Sequence, residues 1–128
     1  MSRYERDAEL EELMQRVINT EPELSHLNPP DVMIACQWCD AAKKAKGAKV
    51  YADTTVIADK VKRLAGFDFV ITFYKPHCEK LDEEHMMRLM YHELLHVGHD
   101  DTKFFIVPHD LEDFHECISR WGVDWIKG

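Results

Sequence analysis

The stretch YHELLHVG, residues 91–98, contains the pattern H-E-x-x-H and decides the expected fold. On a helix, His92 and His96 lie one turn apart on the same face. Two neutral imidazoles at that spacing can hold one divalent ion, most often zinc. Glu93 follows the first histidine, where its carboxylate can reach a metal-bound water without being a ligand. The stretch therefore predicts a metal site on a helix, which needs a third ligand from elsewhere in the chain.

The residues around the motif favour that helix. Acidic residues at 82–84 suit the positive N-terminal end of a helix dipole, so the helix is predicted to begin near Asp82. Gly98 predicts its C-terminal end. The residues expected to contact the core are Met86, Leu89, Met90, Leu94, Leu95 and Val97.

Length, composition and charge limit the class of protein. A chain of 128 residues that is 45% hydrophobic predicts a single domain, 1–128, with a real core. It has no apolar run as long as a membrane span and no apolar signal core near Met1, so we expect a cytoplasmic protein with reduced cysteines. The net charge of −8 disfavours unspecific binding to nucleic acid or anionic membranes. The oligomeric state is left open.

Hydrophobic periodicity predicts an α+β fold. Apolar positions at helical spacing predict a helix over residues 3–19 with Ser2 as its N-cap, then a connection over 20–30. Residues 59–65 predict a short helix that Gly66 closes. A last helix is predicted to start at about Asp110 and to end at Gly122.

Three segments have strand character, at residues 32–38, 49–57 and 67–74. The first two are predicted to pair, with a lysine-rich turn at 40–47 between them. The fold class is therefore a small, mainly antiparallel sheet of about three strands, packed on the motif helix and flanked by N- and C-terminal helices. If residues 67–74 form the sheet edge, an extended substrate could pair with them.

The third metal ligand has several candidates after the motif. They are His99, Asp100, Asp101, His109, Asp113, His115 and Glu116. His109 is favoured, because the twelve residues after His96 allow a loop that turns back and Pro108 restricts the backbone before it. Asp110 or Asp113 could orient an imidazole. His85 shares the face of His92, but it lies about 10 Å along the helix axis, too far to bind the same ion.

The motif and its surroundings resemble a known family. HELLH at 92–96, followed after eleven residues by PHDLEDF at 108–114, resembles the SprT-like zinc metallopeptidases, in which P-H-G-x-x-F/W follows at similar spacing. From about Ala48 to Trp125 the chain resembles more closely the phage or prophage metallopeptidases related to SprT, through GFDFVITFY, LMYHELLHV, VPHDLEDF and RWGVDW. The resemblance implies a zincin-like fold, zinc held by His92, His96 and His109, and Glu93 as the catalytic residue.

Two departures limit the resemblance. Asp110 stands where the SprT pattern has glycine, and Thr102 stands where a metzincin would have its third histidine. No zinc ribbon follows, so we do not expect the DNA-linked role of the larger SprT and Spartan proteins, and nucleic acid is not an expected main partner.

Two other clusters are given ordinary roles. Cys36 and Cys39 form a C-x-x-C on a predicted strand, where they are expected to be small packing residues. The lysines of the cluster at 43–49 are expected to form a solvated turn, with contact to an anion or nucleic acid as the alternative.

The sequence thus predicts a zinc-dependent peptidase that acts on a peptide or protein substrate. Zinc would lower the pKa of its bound water, and Glu93 would accept the proton as the water attacks the scissile carbonyl. The alternative is a non-catalytic zinc-binding interaction module of phage or prophage origin. Its closed site would need a fourth protein ligand, such as His99 or Asp113. Hydrolysis of an amide outside a peptide also stays open.

Overall fold

The structure is a computed structural model that describes residues 2–29, 31–100 and 103–108. The elements in these ranges are, in order, β1 (Tyr4–Arg6), α1 (Ala8–Thr20), a 3-10 helix (Pro22–Leu27), β2 (Ile34–Cys39), β3 (Lys43–Ala45), β4 (Ala48–Val50), β5 (Ala52–Val56), α2 (Asp59–Ala65), β6 (Phe69–Tyr74), α3 (Lys75–Cys78), α4 (Glu83–Leu94), β7 (Val97–His99) and β8 (Phe104–Ile106). The mixed α+β class is confirmed. The last helix predicted from Asp110 lies outside the described residues.

The N-terminal segment is a strand followed by a helix, so the prediction of one helix over 3–19 is wrong at its start. The carboxylate of Asp7 accepts hydrogen bonds from the backbone N–H groups of Glu9 and Leu10, which makes Asp7 rather than Ser2 the N-cap. The residues before Asp7 pair with β2, with Glu5 opposite Trp38. Strand pairing satisfies backbone groups that a first helical turn would leave unpaired.

Within the described residues, the main sheet has four strands in the order β1-β2-β6-β5, rather than about three. β2 and β6 are parallel, whereas β1 pairs with β2 and β5 with β6 in antiparallel fashion, so a mainly antiparallel sheet is confirmed. The predicted pairing of residues 49–57 with 32–38 is wrong, because β5 pairs with β6.

β6 lies inside the sheet, between β2 and β5, so the condition that residues 67–74 form the sheet edge is not met. Its sequence FVITFY is almost continuously apolar and mostly buried, as expected of a strand covered on both faces. Among the strands that the structure describes, β5 occupies this edge instead.

The lysine-rich segment predicted as a turn is a β-hairpin formed by β3 and β4. Its turn residues Lys46 and Gly47 have φ angles of 53° and 80°. Two positive φ angles in succession are the mark of a type I′ turn, whose twist suits a tight hairpin.

The core lies between the sheet and two helices, α1 over β2 and α4 over β5, with the helices also packed on each other. The largest fully buried apolar side chains are Tyr91, Phe69, Phe73, Leu24, Leu27, Ile71, Leu89 and Met90. Burial of each such side chain contributes about 1.5–3 kcal/mol, so this core fixes α4 firmly against the sheet. No helix in the described part of the chain has the length and apolarity needed to cross a membrane.

Candidate metal centre

α4 positions the first half of the motif. The carboxylate of Asp82 accepts a hydrogen bond of 2.8 Å from the backbone N–H of His85, which confirms that the helix begins at this point. Leu89, Met90 and Leu94 are buried and hold the helix on the core. The last turn of α4, which carries His92 and Glu93, is therefore held in a fixed position against the core.

The helix ends at Leu94, so the predicted end at Gly98 is wrong. The N–H of His96 donates to the carbonyl of Glu93 at 3.1 Å, and the chain then turns directly into β7. Gly98 pairs with Phe105 of β8, and a Cβ there would lie 2.3 Å from the Phe105 ring. The glycine therefore serves the close approach of β7 and β8 rather than a helix cap.

His92, Glu93 and His96 nevertheless converge. Their ligand atoms all lie within 4.8 Å of one another, and their exposed fractions are 7%, 1% and 7%. The two imidazole rings have centroids 5.2 Å apart and planes at 82°. Imidazole nitrogens with a neighbouring carboxylate form a donor set that suits a divalent ion such as zinc, so these residues fit a metal.

A second contact sets the orientation of His96. Its Nδ1 lies 2.6 Å from the carbonyl oxygen of Val107, and the N–H of Val107 donates to the His96 carbonyl at 2.7 Å. Because a carbonyl can only accept, Nδ1 carries the proton and Nε2 is left with its lone pair. Metal-binding histidines commonly have this arrangement.

Thr54 of β5 holds the carboxylate of Glu93, a role that the sequence did not predict. Its Oγ1 lies 2.9 Å from Glu93 Oε1 and 3.1 Å from the Glu93 carbonyl oxygen. Thr54 is 39 positions from Glu93 along the chain, so no local pattern could have indicated the contact.

The pKa of the Glu93 carboxyl is raised strongly above its usual value. Burial raises the pKa of its carboxyl to about 8 in the metal-free chain, and the negative charge of Asp53 adds to that rise. The hydrogen bond from Thr54 opposes it, because it stabilises the charged form. A cation bound beside Glu93 would favour the charged form further.

A cavity of about 290 Å³ opens beside these groups. Glu93, His96 and Thr54 line it together with residues of β5, the β3–β4 hairpin and β8. The full lining is Ala45, Val50, Ala52, Asp53, Thr54, Glu93, His96 and Ile106. The cavity therefore connects the candidate metal ligands with the edge strand of the sheet.

The candidates for the third ligand are mostly outside the described residues. These are His109, together with Asp101, Asp113, His115 and Glu116. His99 is described, and its ring stacks on His26 with centroids 5.3 Å apart. Asp100 accepts a hydrogen bond from the N–H of Lys103 at 2.9 Å. Within the described ranges, the group of converging ligand atoms consists of His92, Glu93 and His96.

The remaining sites have ordinary roles. His85 pairs with Asp82 at the helix start, away from the motif pair. Cys36 and Cys39 are buried and not joined in a disulfide, which confirms the interpretation as packing residues. Burial raises the pKa of the Cys36 thiol far above its usual range, so it is unreactive.

A family model described as "Putative phage metallopeptidase" matches residues 2–127. The chain belongs to this family. The match confirms the predicted resemblance to the phage metallopeptidases. The family description suggests a metallopeptidase of phage origin and implies a metal cofactor, which the group of His92, Glu93 and His96 could hold. Comparison with curated proteins and with solved structures gave no match. The likeness to SprT in particular stays a prediction.

Proposed function

We propose that this phage metallopeptidase is a zinc-dependent peptidase with a zincin-like fold related to SprT. Zinc would be held by His92, His96 and His109, with Glu93 as general base. The observation that carries the proposal is the convergence of two buried histidines and a buried glutamate beside a cavity at a sheet edge. Titratable groups whose pKa is strongly shifted, in or beside a cavity, are typical of functional sites.

Each described residue has a distinct task in this proposal. When bound, the ion would supply an activated water and polarise the scissile carbonyl. Glu93 accepts a proton from the attacking water and passes it to the leaving amine. Thr54 holds the Glu93 carboxylate by its hydroxyl. The carbonyl of Val107 accepts from Nδ1 of His96 and fixes its ring, so Nε2 would be the atom that binds the ion.

The sheet edge supports an extended peptide as the substrate. β5 pairs with β6 on one side only within the described residues, so its other side can accept backbone hydrogen bonds. Ala52, Asp53 and Thr54 of β5 line the cavity next to Glu93. Recognition through backbone groups gives weak selectivity for side chains near the scissile bond. Action in the cytoplasm stays a prediction.

A proteome-wide cleavage screen tests the proposal. Wild type is compared with Glu93→Gln and with the matched control Glu79→Gln, which changes an exposed carboxylate after α3. We expect wild type and Glu79→Gln to cleave the same peptides, and Glu93→Gln to keep its zinc and lose cleavage. Full cleavage by Glu93→Gln, or a wild-type protein that binds no zinc, would overturn the mechanism.

The alternative, a closed zinc site in an interaction module, needs a fourth protein ligand. His99 was one of its two candidates, but its Nε2 lies 3.3 Å from the carbonyl of His26 and its ring stacks on that residue. A coordination-sensitive probe of the zinc protein separates the two functions. Three protein ligands with a water support the peptidase, and four protein ligands support the module.

A further inference from the structure

We infer that the β3–β4 hairpin is a docking surface for acidic polypeptide segments, and that this protein cleaves chains in which such a segment flanks the scissile bond. The inference rests on the proposed peptidase function and names its substrate class. It follows from the charge of the hairpin, from its strand register and from its position beside the cavity.

The hairpin is the basic part of an acidic protein. Residues 41–52 contain four lysines and no aspartate or glutamate, in a chain with a net charge of −8. Lys43 is neutralised, because its Nζ lies 2.6 Å from Asp53 Oδ2. Lys44, Lys46 and Lys49 are exposed and form no ion pair with the described residues.

The register places two of these charges against each other. Lys44 lies directly opposite Lys49, on the face of the hairpin away from Ala45 and Val50. Like charges in directly opposed positions destabilise a strand pair. An anionic group bound between them would turn this repulsion into attraction.

The turn of the hairpin also lowers its stability. Lys46 has a φ of 53°, a conformation that glycine or asparagine adopts with less strain than lysine. A lysine is thus present at the tip of the hairpin although other residues would stabilise the turn better. The three lysines therefore lower the stability of the hairpin and concentrate positive charge on it.

The position of the hairpin links this charge to the cavity. Ala45 and Val50 lie on its inner face and line the same cavity as Glu93 and His96. Lys46 follows Ala45 directly in the turn, so a peptide that leaves the cavity along the hairpin reaches Lys46 within the length of a three-residue strand, about 10 Å. It reaches Lys44 and Lys49 by crossing the hairpin to the opposite face. Acidic residues about three or more positions from the scissile bond would therefore reach the lysines.

A polypeptide fits this surface better than a nucleic acid. The hairpin, residues 41–52, carries positive charge without acidic residues over a short length only, while the net charge of −8 repels a long polyanion. The neighbouring cavity has a volume of about 290 Å³ and partly apolar walls, which suit amino-acid side chains.

The test uses one cleavable peptide core with three flanks, rich in Glu, Gln or Lys. We expect wild type to cleave the Glu-flanked peptide with a kcat/KM about tenfold above the Gln-flanked one, mainly through KM. Three exposed ion pairs amount to roughly 1.4 kcal/mol, which corresponds to a factor of ten. Raising the ionic strength from about 0.05 M to about 0.5 M should remove most of the preference.

The variant Lys44→Gln/Lys46→Gln/Lys49→Gln should lose the preference and still cleave the Gln-flanked peptide as wild type does. The matched control, Lys60→Gln/Arg63→Gln/Lys80→Gln, removes three exposed positive charges elsewhere and should retain it. Melting temperatures check that the hairpin variant folds. An equal preference in the two triple variants would refute the inference while leaving the peptidase function intact.

A binding assay separates the inference from the proposed function. Glu93→Gln is titrated with the labelled Glu-flanked peptide, with and without the three lysine changes. Binding that depends on the lysines supports the docking surface, even if wild type cleaves no peptide and the peptidase proposal fails. Binding unaffected by the lysine changes overturns the surface. Displacement by a single-stranded oligonucleotide at lower concentration than by the acidic peptide overturns the choice of partner.

Discussion

The hydrogen bond between Thr54 and Glu93 offers a sharp test of the site, because one side chain can be changed almost without a change of shape. In Thr54→Val the hydroxyl is lost, while the β-branched form that suits strand β5 is kept. The Glu93 carboxylate then loses its contact at 2.9 Å. We expect Glu93 to sample orientations in which it cannot accept the proton of the attacking water.

The size of the effect follows from the kind of hydrogen bond. Hydrogen bonds to charged groups contribute about 1.5–3 kcal/mol. Thr54 is only half-buried and its hydroxyl divides its donation between Glu93 Oε1 and the Glu93 carbonyl, so the lower limit applies. A loss of about 1.5 kcal/mol lowers kcat roughly tenfold. KM should change little, because the contact holds the base and not the substrate.

The assay is steady-state cleavage of a fluorogenic peptide, with zinc content and melting temperature measured on the same samples. Thr54→Ser keeps the hydroxyl and should recover most of kcat. Thr55→Val changes the exposed neighbour on the same strand and is the matched control. A wild-type kcat in Thr54→Val, or a Thr54→Ser variant as slow as Thr54→Val, would show that the hydroxyl does not position Glu93.

Three further predictions concern stability. The pKa of Glu93 is raised to about 8 by folding, so the protonated form stabilises the metal-free protein at low pH, and this contribution is lost as pH rises from about 4.5 to about 8. Chemical denaturation between about pH 5 and about pH 8 should show wild type losing a few kcal/mol relative to Glu93→Gln; parallel profiles would contradict the burial argument. Gly98→Ala should lower the free energy of unfolding by about 1 kcal/mol, because the new Cβ displaces the Phe105 ring. Adding Phe105→Leu to this variant should restore part of the lost melting temperature. Asp7→Ala removes the N-cap of α1 and the acceptor of the hydrogen bond from Trp38 Nε1, so it should lower the free energy of unfolding by about 1–2 kcal/mol. An unchanged denaturation midpoint would argue against the cap.

Local signals were sufficient for part of the fold and of the site. The start of α4 at Asp82, the short helix closed by Gly66 and a strand over 67–74 were predicted, because each depends on residues within a few positions of one another. In the structure that strand is Phe69–Tyr74. The convergence of His92, Glu93 and His96 follows in the same way from their short spacing, although His96 lies in the turn after α4 and not on the helix. His109, predicted as the third ligand, lies outside the described residues.

Contacts between residues that are distant along the chain were determined only by the tertiary structure. The pairing of β5 with β6, which moves the sheet edge to β5, depends on how four strands share one core, and strand propensity does not specify a partner. The motif helix stops at Leu94 because β7 must leave it to pair with β8, a competition that the sequence of the helix does not reveal. Thr54 reaches Glu93 for the same reason: the edge strand packs beside α4. The histidines and glutamate of residues 91–98 therefore follow from short-range spacing, whereas the groups that hold and surround them follow from long-range packing.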